Sequence, residues 1–381
     1  VPWFTHRSGK KSKFLREFYL RSADLSGQDV CVALGALRFP TDAAVRYIRF
    51  VPLSGEEVAD WHKIRELAES KGRPFAAYVE CSPGIYESVR TSLRDYMRND
   101  MRLNKLRGAT EVYVHVIRIG SKAWYYSDLI ERFMPTEFPK GSEAWRAWNT
   151  WMKQGDLVAV ALEEGHRAGL KVFADLGMSA AYLKGGSHYE ILTERFSREH
   201  PQYTCGPNSL FLNYREKEVR DYAVSIAREL MTKYDVDGIN LDFARWGYNK
   251  GYDESSLVDV LRRIHEARRE AERKWGHSIV VSTRIPSYFY DDGRAYVGEH
   301  PWFTAALSVW AKNGWIDRVM TCGALDKKRP QLSIERYIVA IAGTEVAFWG
   351  DLYWPVGLRT SEGNIHLARK WIEEGLNGGF F

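Results

Sequence analysis

The chain has 381 residues, of which 45% are hydrophobic and 27% are charged, so it can bury a large core and disorder is not expected. The formal net charge is +5, and basic residues are scattered among acidic ones, which argues against a nucleic-acid partner. Four widely separated cysteines form no zinc-ligand cluster, and neither a metal nor another cofactor is expected. No apolar run reaches the roughly 20 residues of a membrane span, and no apolar signal peptide opens the chain.

Residues 1–70 have the pattern of a small β-rich segment. Short strand patterns at Phe18–Arg21, Asp29–Leu37 and Arg46–Pro52 are separated by turn signals. Three strands make a poor independent domain. We therefore expect an incomplete, sandwich-like accessory segment and a linker, or a sheet that packs on the domain that follows.

From residue 71 onward, strand patterns alternate with helical patterns. Amphipathic periodicity of about 3.6 residues marks helices such as Glu218–Lys233, Ser255–Trp275 and Ile365–Gly375. The eight predicted strands are Phe75–Glu80, Glu111–Ile119, Lys171–Gly177, Val236–Phe243, Ser278–Arg284, Arg318–Gly323, Glu345–Asp351 and Gly378–Phe381. Eight such repeats over residues 71–381 predict an α/β fold of the (β/α)8 TIM-barrel type. A doubly wound open sheet is the alternative, but no Gly-rich phosphate loop follows any strand.

Polar side chains converge on the predicted mouth of this barrel. Alternate residues of a barrel strand face the interior, and active sites lie at the carboxyl ends of the strands. The converging set comprises Glu80, His115, Asp175, Asp242, Arg284 and Asp351, and the same alternation turns Asn240, Glu345 and Trp349 inward. Any single member could be a helix cap or a satisfied core residue. Several buried charged groups together are harder to explain without a function, because unpaired buried charge is costly.

Carboxylates at a barrel mouth favour glycoside hydrolysis. In that reaction one carboxyl group protonates the leaving oxygen, and the other attacks the anomeric carbon or activates water. No G-x-S-x-G or H-E-x-x-H motif points to another hydrolase class. We expect Asp242 to be the nucleophile or general base. Its proton-donating partner is expected to be Asp351 or Glu80, with Asp175 as the third choice.

Further residues are expected to bind an oligosaccharide or polysaccharide. The chain is 14% aromatic, and a surplus of tryptophan either lines clefts where sugar rings stack or fills a large core. His115 and Arg284 suit sugar hydroxyls, an anionic substrate group or the tuning of a carboxyl group. The predicted substrate-binding set is completed by Arg118, Trp124, Tyr125, Asn240, Arg245, Trp246, Tyr248, Trp349 and Trp354.

One stretch carries a family resemblance. Residues 234–246, YDVDGINLDFARW, resemble the strand-four signature of glycoside hydrolase-like family 10 proteins, as do the upstream stretches HPQY, LNY and EVRDY at residues 200–203, 212–214 and 218–222. The layout of Gly238–Asp242 is also similar to strand four of α-amylase-like enzymes, in which the corresponding aspartate is the nucleophile. Here Asn240 stands where those enzymes have arginine, and no glutamate ends the fifth strand.

The resemblance covers residues 71–381. It implies a secreted or periplasmic bacterial polysaccharide hydrolase with a β-sandwich attached at its N-terminus. Two other interpretations of the same barrel remain open. One is a non-catalytic glycan-binding barrel, because fold does not determine function. The other is a barrel lyase or a metal-dependent hydrolase, with Glu80, Asp175 and Asp242 as metal ligands.

Overall fold

The structure is a computed structural model. It describes residues 52–59, 74–79, 92–106, 108–133, 146, 150–151, 154–178, 192–206, 211–244, 251–286, 288–291, 294–297, 301–322, 335–351 and 378–380. The β-rich segment predicted for residues 1–70 lies almost entirely outside the described residues. Of that segment, residues 52–59 are described, and residues 55–59 form a short exposed helix.

Eight parallel strands form a closed barrel. In chain order they are β1 Phe75–Val79, β2 Glu111–Arg118, β3 Lys171–Gly177, β4 Gly238–Asp242, β5 Val280–Pro286, β8 Arg318–Cys322, β9 Ala347–Asp351 and β10 Gly378–Phe380. Between β5 and β8, β6 Tyr288–Asp291 and β7 Arg294–Val297 form an antiparallel hairpin. All eight predicted barrel strands are confirmed, with ends that differ by one or two residues. Closure through the β1–β10 pair rules out the open sheet.

Helices occupy the connections between the strands. They are α1 Leu93–Leu106, α2 Leu157–Arg167, α3 Arg195–Glu199, α4 Lys217–Lys233, α5 Glu254–Trp275, α6 Pro301–Lys312 and α7 Glu335–Ile341, with a 3₁₀ turn at Pro201–Tyr203. The predicted helices Glu218–Lys233 and Ser255–Trp275 are confirmed to within one residue as α4 and α5. The predicted helix Ile365–Gly375 lies outside the described residues.

The ends of α5 show why this helix begins and stops where it does. Asp253 accepts a hydrogen bond from the backbone N–H of Ser256, and the Ser256 hydroxyl accepts one from the backbone N–H of Asp253 in return. This capping box satisfies N–H groups that have no partner within the helix. At the other end, Gly276 takes a left-handed conformation with φ of 78°, which glycine adopts without strain.

The strand register gives the shear of the barrel. His115 of β2 aligns with Asp175, then with Asn240 and Ser282, and Ser282 aligns with Arg318. When the aligned positions are followed further around the barrel through β9, β10 and β1, they reach β2 again about eight residues before His115. A stagger of about eight residues over eight strands is the value found in (β/α)8 barrels.

Alternation along each strand separates two cores. The outer core, between strands and helices, takes branched side chains such as Val112, Val114 and Ile239. The inner core, inside the barrel, contains Ala76, Tyr113, Phe173, Met320 and Trp349, with Tyr78, Val280 and Ala347 packed against it. These inward positions follow from the period of two in a strand. The predicted alternation is therefore confirmed for the described strands.

Two details differ from the predicted alternation. A register shift between His115 and Ile117 of β2 places Val116 and Ile117 together in the outer core. Such a bulge inserts one unpaired residue and cannot be seen as a break in an apolar run. The prediction that Glu345 faces inward is wrong, because this residue precedes β9 and is exposed to solvent.

Gly238, the first residue of β4, is expected to tolerate no side chain. A β-carbon there would lie 2.3 Å from Phe173 Cε1 and 2.6 Å from the Val280 carbonyl oxygen. Gly238→Ala should therefore lower the free energy of unfolding by about 1–3 kcal/mol, as over-packing does in other cores. Urea denaturation measures this value. Gly55→Ala is the control, because nothing lies within 4 Å of the added carbon. Equal stability of the two variants would contradict the close contact.

Two histidine–aspartate pairs stabilise the end of β4 opposite the mouth. His166 Nε2 lies 2.7 Å from Asp237 Oδ2, and His277 Nε2 lies 2.6 Å from Asp235 Oδ1. The hydrogen bond with Asp237 raises the pKa of His166. Hydrogen bonds with the carbonyl of the next residue and with Asp235 raise the pKa of His277. Both signature aspartates thus have structural partners.

We expect these pairs to stabilise the protein more in mildly acidic than in alkaline solution. A histidine with a raised folded pKa stabilises fully below its unfolded pKa of about 6.5, and this contribution is lost as the pH rises through the folded pKa. The His166 side chain is 45% exposed, so solvent screening limits the effect to less than about 1 kcal/mol. The free energy lost in His166→Gln should be larger at about pH 5.5 than at about pH 8.5. An equal loss at the two pH values would contradict the contribution of the His166–Asp237 pair.

Candidate active site

Asp242 occupies the position that the sequence predicts for it. It is the last residue of β4, its side chain is fully buried, and its register partners are Gly177 on β3 and Arg284 on β5. Active sites of parallel barrels lie at this carboxyl end of the strands, here called the mouth. The position is therefore appropriate for a catalytic or binding carboxylate.

Each oxygen of the Asp242 carboxylate has a donor. Arg284 Nη1 donates to Oδ2 at 3.0 Å, and the backbone N–H of Ala244 donates to Oδ1 at 2.9 Å. Both side chains of the ion pair are buried, with 3% of Arg284 exposed. Arginine stays protonated at any ordinary pH, so it compensates a negative carboxylate at this depth. The Arg284 side chain and the Ala244 backbone N–H together hold the Asp242 carboxylate in one orientation.

A second buried network lies one layer deeper, around Asp175. Its Oδ1 accepts from Asn240 Nδ2 at 2.6 Å, and its Oδ2 lies 2.8 Å from His115 Nδ1 and 3.4 Å from the Tyr78 hydroxyl. Asn240 Oδ1 in turn accepts from Ser282 Oγ at 2.9 Å. Neighbouring inward positions on five successive strands are thus joined by hydrogen bonds.

The network assigns the orientation of its members. With Nδ1 facing a carboxylate, His115 carries its proton on that nitrogen when it is neutral, and Nε2 is then the acceptor. The Asn240 amide group must point its nitrogen at Asp175, because its oxygen accepts from Ser282. Asp175 therefore acts as an acceptor on both oxygens, and a carboxylate in that state suits the orientation of His115 better than the donation of a proton.

Asp175 and Asp242 belong to neighbouring strands. Asp175 is level with Asn240, so Asp242 lies two residues nearer the mouth. This offset corresponds to about 8 Å between the two Cα atoms. The site thus combines two carboxylates and a histidine, which are side chains that can act in acid–base chemistry, with an arginine that stays cationic.

A third polar group closes the barrel below this network. Arg318 on β8 donates to Glu111 on β2 and to the Tyr113 hydroxyl, and its guanidinium carbon lies 3.6 Å from the ring centroid of Trp349. Burial raises the pKa of Glu111 even though Arg318 is adjacent. Burial likewise raises the pKa of Tyr113. Trp349, predicted to bind substrate, lies within this layer and is 1% exposed.

Glu111 and Arg318 were missed at the sequence level. Each is the first residue of its strand and has the same parity as the inward-facing residues that follow it. Their parity indicates an inward position, but they lie at the amino ends of their strands, away from the mouth where a site is expected.

The connection after β2 runs along the outside of the barrel. The Tyr125 hydroxyl donates to Glu229 of α4 at 2.9 Å, and Ser127 Oγ donates to the same carboxylate at 2.6 Å. Trp124 stacks on Phe133, with ring centroids 5.2 Å apart, and packs against the outer core. The structure therefore does not bring Trp124 and Tyr125 to the network around Asp242.

Arg118, by contrast, lies beside the site. It ends β2 and pairs with Gly177, which itself pairs with Asp242. A β-carbon on Gly177 would lie 2.9 Å from Arg118 Cγ, so the arginine side chain passes directly over this glycine. Because Gly177 has no side chain, the Arg118 side chain fits over it, two strands away from Asp242.

The remaining predicted site residues fall outside the description of side chains. The structure describes the backbone of Asp351, which ends β9 at the mouth. Those outside the described residues are Glu80, Arg245, Trp246, Tyr248 and Trp354. Within the described part of the chain, no three His, Cys, Asp or Glu side chains are grouped to hold a metal ion. Among the described helices, none has the length and apolar character needed to cross a membrane.

No protein-family model matches this chain. No curated protein matches it either. Solved structures of similar shape include a maltogenic alpha-amylase from Thermotoga neapolitana (11% identity, 81% of this chain and 67% of that chain, TM-score 0.43). They also include a chitinase from Ipomoea carnea (12% identity, 81% and 93%, TM-score 0.41). An old yellow enzyme homologue from Zymomonas mobilis is a third (14% identity, 81% and 84%, TM-score 0.44). Similarity at this level assigns no function to the chain.

Proposed function

We propose that this protein is a glycoside hydrolase that cleaves a glycosidic bond in an oligosaccharide or polysaccharide, with Asp242 as nucleophile or general base. The observation that supports this most is the buried Asp242–Arg284 pair at the mouth end of β4 and β5. A nucleophile or base carries negative charge, and the guanidinium of Arg284, 3.0 Å away, compensates that charge inside the barrel. The family resemblance of residues 234–246 supports the same assignment.

The reaction also requires a proton donor for the leaving oxygen. Asp175 is the weaker choice, because Asn240 and His115 engage its two oxygens. We therefore propose Asp351 or Glu80 as the acid. Asp351 ends β9 at the mouth, which is the end of the barrel where Asp242 lies.

Asp175 then has a positioning role. It holds His115 through Nδ1 and so fixes the orientation of the imidazole and the tautomer in which Nε2 is the acceptor nitrogen. Arg118 and Arg284 supply cationic donors on either side of Asp242 and are suited to sugar hydroxyls. Together these groups would orient the ring whose anomeric carbon meets Asp242.

The proposal is tested by exposing the purified chain to soluble starch, cello-oligosaccharides, chito-oligosaccharides and galacto-oligosaccharides and measuring new reducing ends. Release from at least one of them is expected. Proton NMR of the first product then reports whether the anomeric configuration is retained or inverted. Retention requires carboxyl groups about 5–5.5 Å apart and inversion about 6.5–9.5 Å. Absence of release from every glycan, with the fold verified by circular dichroism, would reject hydrolysis of these classes.

A second candidate is a non-catalytic glycan-binding barrel. It is favoured by the fact that both oxygens of Asp242 already have donors, which is also how a purely structural carboxylate is held. One pair of measurements, calorimetry and the release of reducing ends, distinguishes the two functions. A binding protein would retain one of these glycans in calorimetry without releasing reducing ends, whereas an enzyme would do both.

A further inference from the structure

Trp302 is the most exposed of the tryptophans whose side chains the structure describes, at 37%. Trp124, Trp275 and Trp315 are partly buried, and Trp151, Trp310 and Trp349 are at most 1% exposed. Tryptophan is expensive to leave in water, because its large apolar surface gains most from burial. The exposed part of the Trp302 indole is an apolar, aromatic surface that a ligand can cover.

Trp302 lies on the rim of the mouth, on the side of Asp242. It is in the first turn of α6, and helices that follow barrel strands begin at the mouth end. The next residue, Phe303, is fully buried, and its ring centroid lies 5.4 Å from that of Phe243. Phe243 directly follows Asp242, so one pair of packed rings links the rim position to the candidate catalytic strand.

One charged side chain, Arg215, lies beside the indole, and a second, Asp253, lies beside Arg215. Arg215, which precedes α4, has its guanidinium carbon 5.8 Å from the Trp302 ring centroid. Arg215 does not stack closely on Trp302, since the stacked pair inside the barrel, Arg318 and Trp349, is separated by only 3.6 Å. Asp253, at the start of α5, lies 3.4 Å from Arg215 Nε. The side chains of Arg215 and Asp253 are 52% and 36% exposed, respectively.

We propose that Trp302, Arg215 and Asp253 form a sugar-binding subsite at the rim, which holds a unit of the substrate chain remote from the bond that is cleaved. An indole face stacks on the C–H face of a sugar ring, the guanidinium donates to hydroxyls and the carboxylate accepts from them. This inference rests on the proposed function. It adds that the preferred substrate is a chain long enough to extend from Asp242 to the rim, rather than a disaccharide.

The test compares long and short substrates with the full chain. For the sugar class that is hydrolysed, kcat/KM is measured on the hexasaccharide and on the disaccharide, for the unaltered protein and for Trp302→Ala. Loss of one aromatic contact should lower kcat/KM on the hexasaccharide about tenfold and leave the disaccharide within about twofold. Trp302→Tyr, which keeps an aromatic face, should recover most of the loss. Tyr126→Ala removes an aromatic residue that is 40% exposed on the connection after β2 and should change neither value.

The outcomes separate this inference from the proposed function. Equal losses on both substrates, or no loss on either, would reject the rim subsite while hydrolysis stands. If no glycan is hydrolysed, calorimetry with maltohexaose, cellohexaose and chitohexaose replaces the kinetic assay. Binding that weakens about tenfold in Trp302→Ala would then support the subsite in a binding protein. Binding to none of the three, or binding that the substitution leaves unchanged, would reject it.

Discussion

Asp242→Asn is expected to lower kcat by about 10²- to 10⁴-fold on the glycan that the protein hydrolyses. Asparagine has nearly the same shape but keeps one acceptor oxygen, so it loses one of the two hydrogen bonds from Ala244 and Arg284. It is neither a nucleophile nor a base. Because the other groups of the site are unchanged, KM should change much less than kcat. Reducing-end release under saturating substrate measures the effect.

A matched control lies at the other end of the same strand. Asp237→Asn changes the same residue type just before β4, where its partners are His166 and the backbone N–H of Val172. This variant should lose stability and keep its activity at temperatures where it remains folded. Activity of Asp242→Asn within about tenfold of the unaltered protein would remove Asp242 from the catalytic role. An equal loss in Asp237→Asn would show that the assay reports folding rather than chemistry.

Arg318→Met is expected to lower the free energy of unfolding by about 3–5 kcal/mol. The substitution leaves Glu111, which is 3% exposed, without its cationic partner inside the barrel. Removing one member of a buried ion pair is costly because the other charge stays in an apolar environment. Replacing both members, in Glu111→Gln with Arg318→Met, should recover most of the loss, since no buried charge then remains. Urea unfolding of Arg318→Met, Glu111→Gln and the double variant, compared with the unaltered protein, forms a double-mutant cycle.

The cost in Arg318→Met should also depend on pH. Burial already raises the pKa of Glu111, so the folded protein binds this proton more readily than the unfolded chain does. Stability from such a group is greatest in acid and declines as the pH rises from the unfolded pKa through the folded one. The defect of the single variant should therefore be smaller near pH 4.5 than near pH 7. A loss below about 1 kcal/mol, or no recovery in the double variant, would contradict a charge-dominated layer.

Local pattern was sufficient to predict the barrel. Strands such as β2 and β4 alternate between apolar side chains for the outer core and larger or polar ones for the interior, and this period of two is visible in sequence. The same rule placed Asp175, Asn240 and Asp242 inside the barrel. Most of the central network could thus be predicted, because its members are separated by one register step on adjacent strands.

What could not be predicted depends on contacts between distant segments. Glu111 and Arg318 are 207 residues apart in sequence, and nothing local indicates that they pair. The connection after β2 carries Trp124 and Tyr125 away from the mouth, because Glu229 of α4 binds it from outside. Trp302 gave no signal either, since exposure is a property of the folded surface rather than of a sequence pattern.

The layer of Arg318, Glu111, Tyr113 and Trp349 also determines from which end a small molecule can enter the barrel. These side chains, with Phe173 and Met320, fill the lower interior of the barrel. The barrel is therefore closed at that end and open only at the mouth. In the proposed hydrolase, substrate, water and product would share one opening. A glycan bound across that opening would delay the arrival of the hydrolytic water and the departure of the product. For such an enzyme we expect product release through the mouth, rather than bond cleavage, to limit turnover.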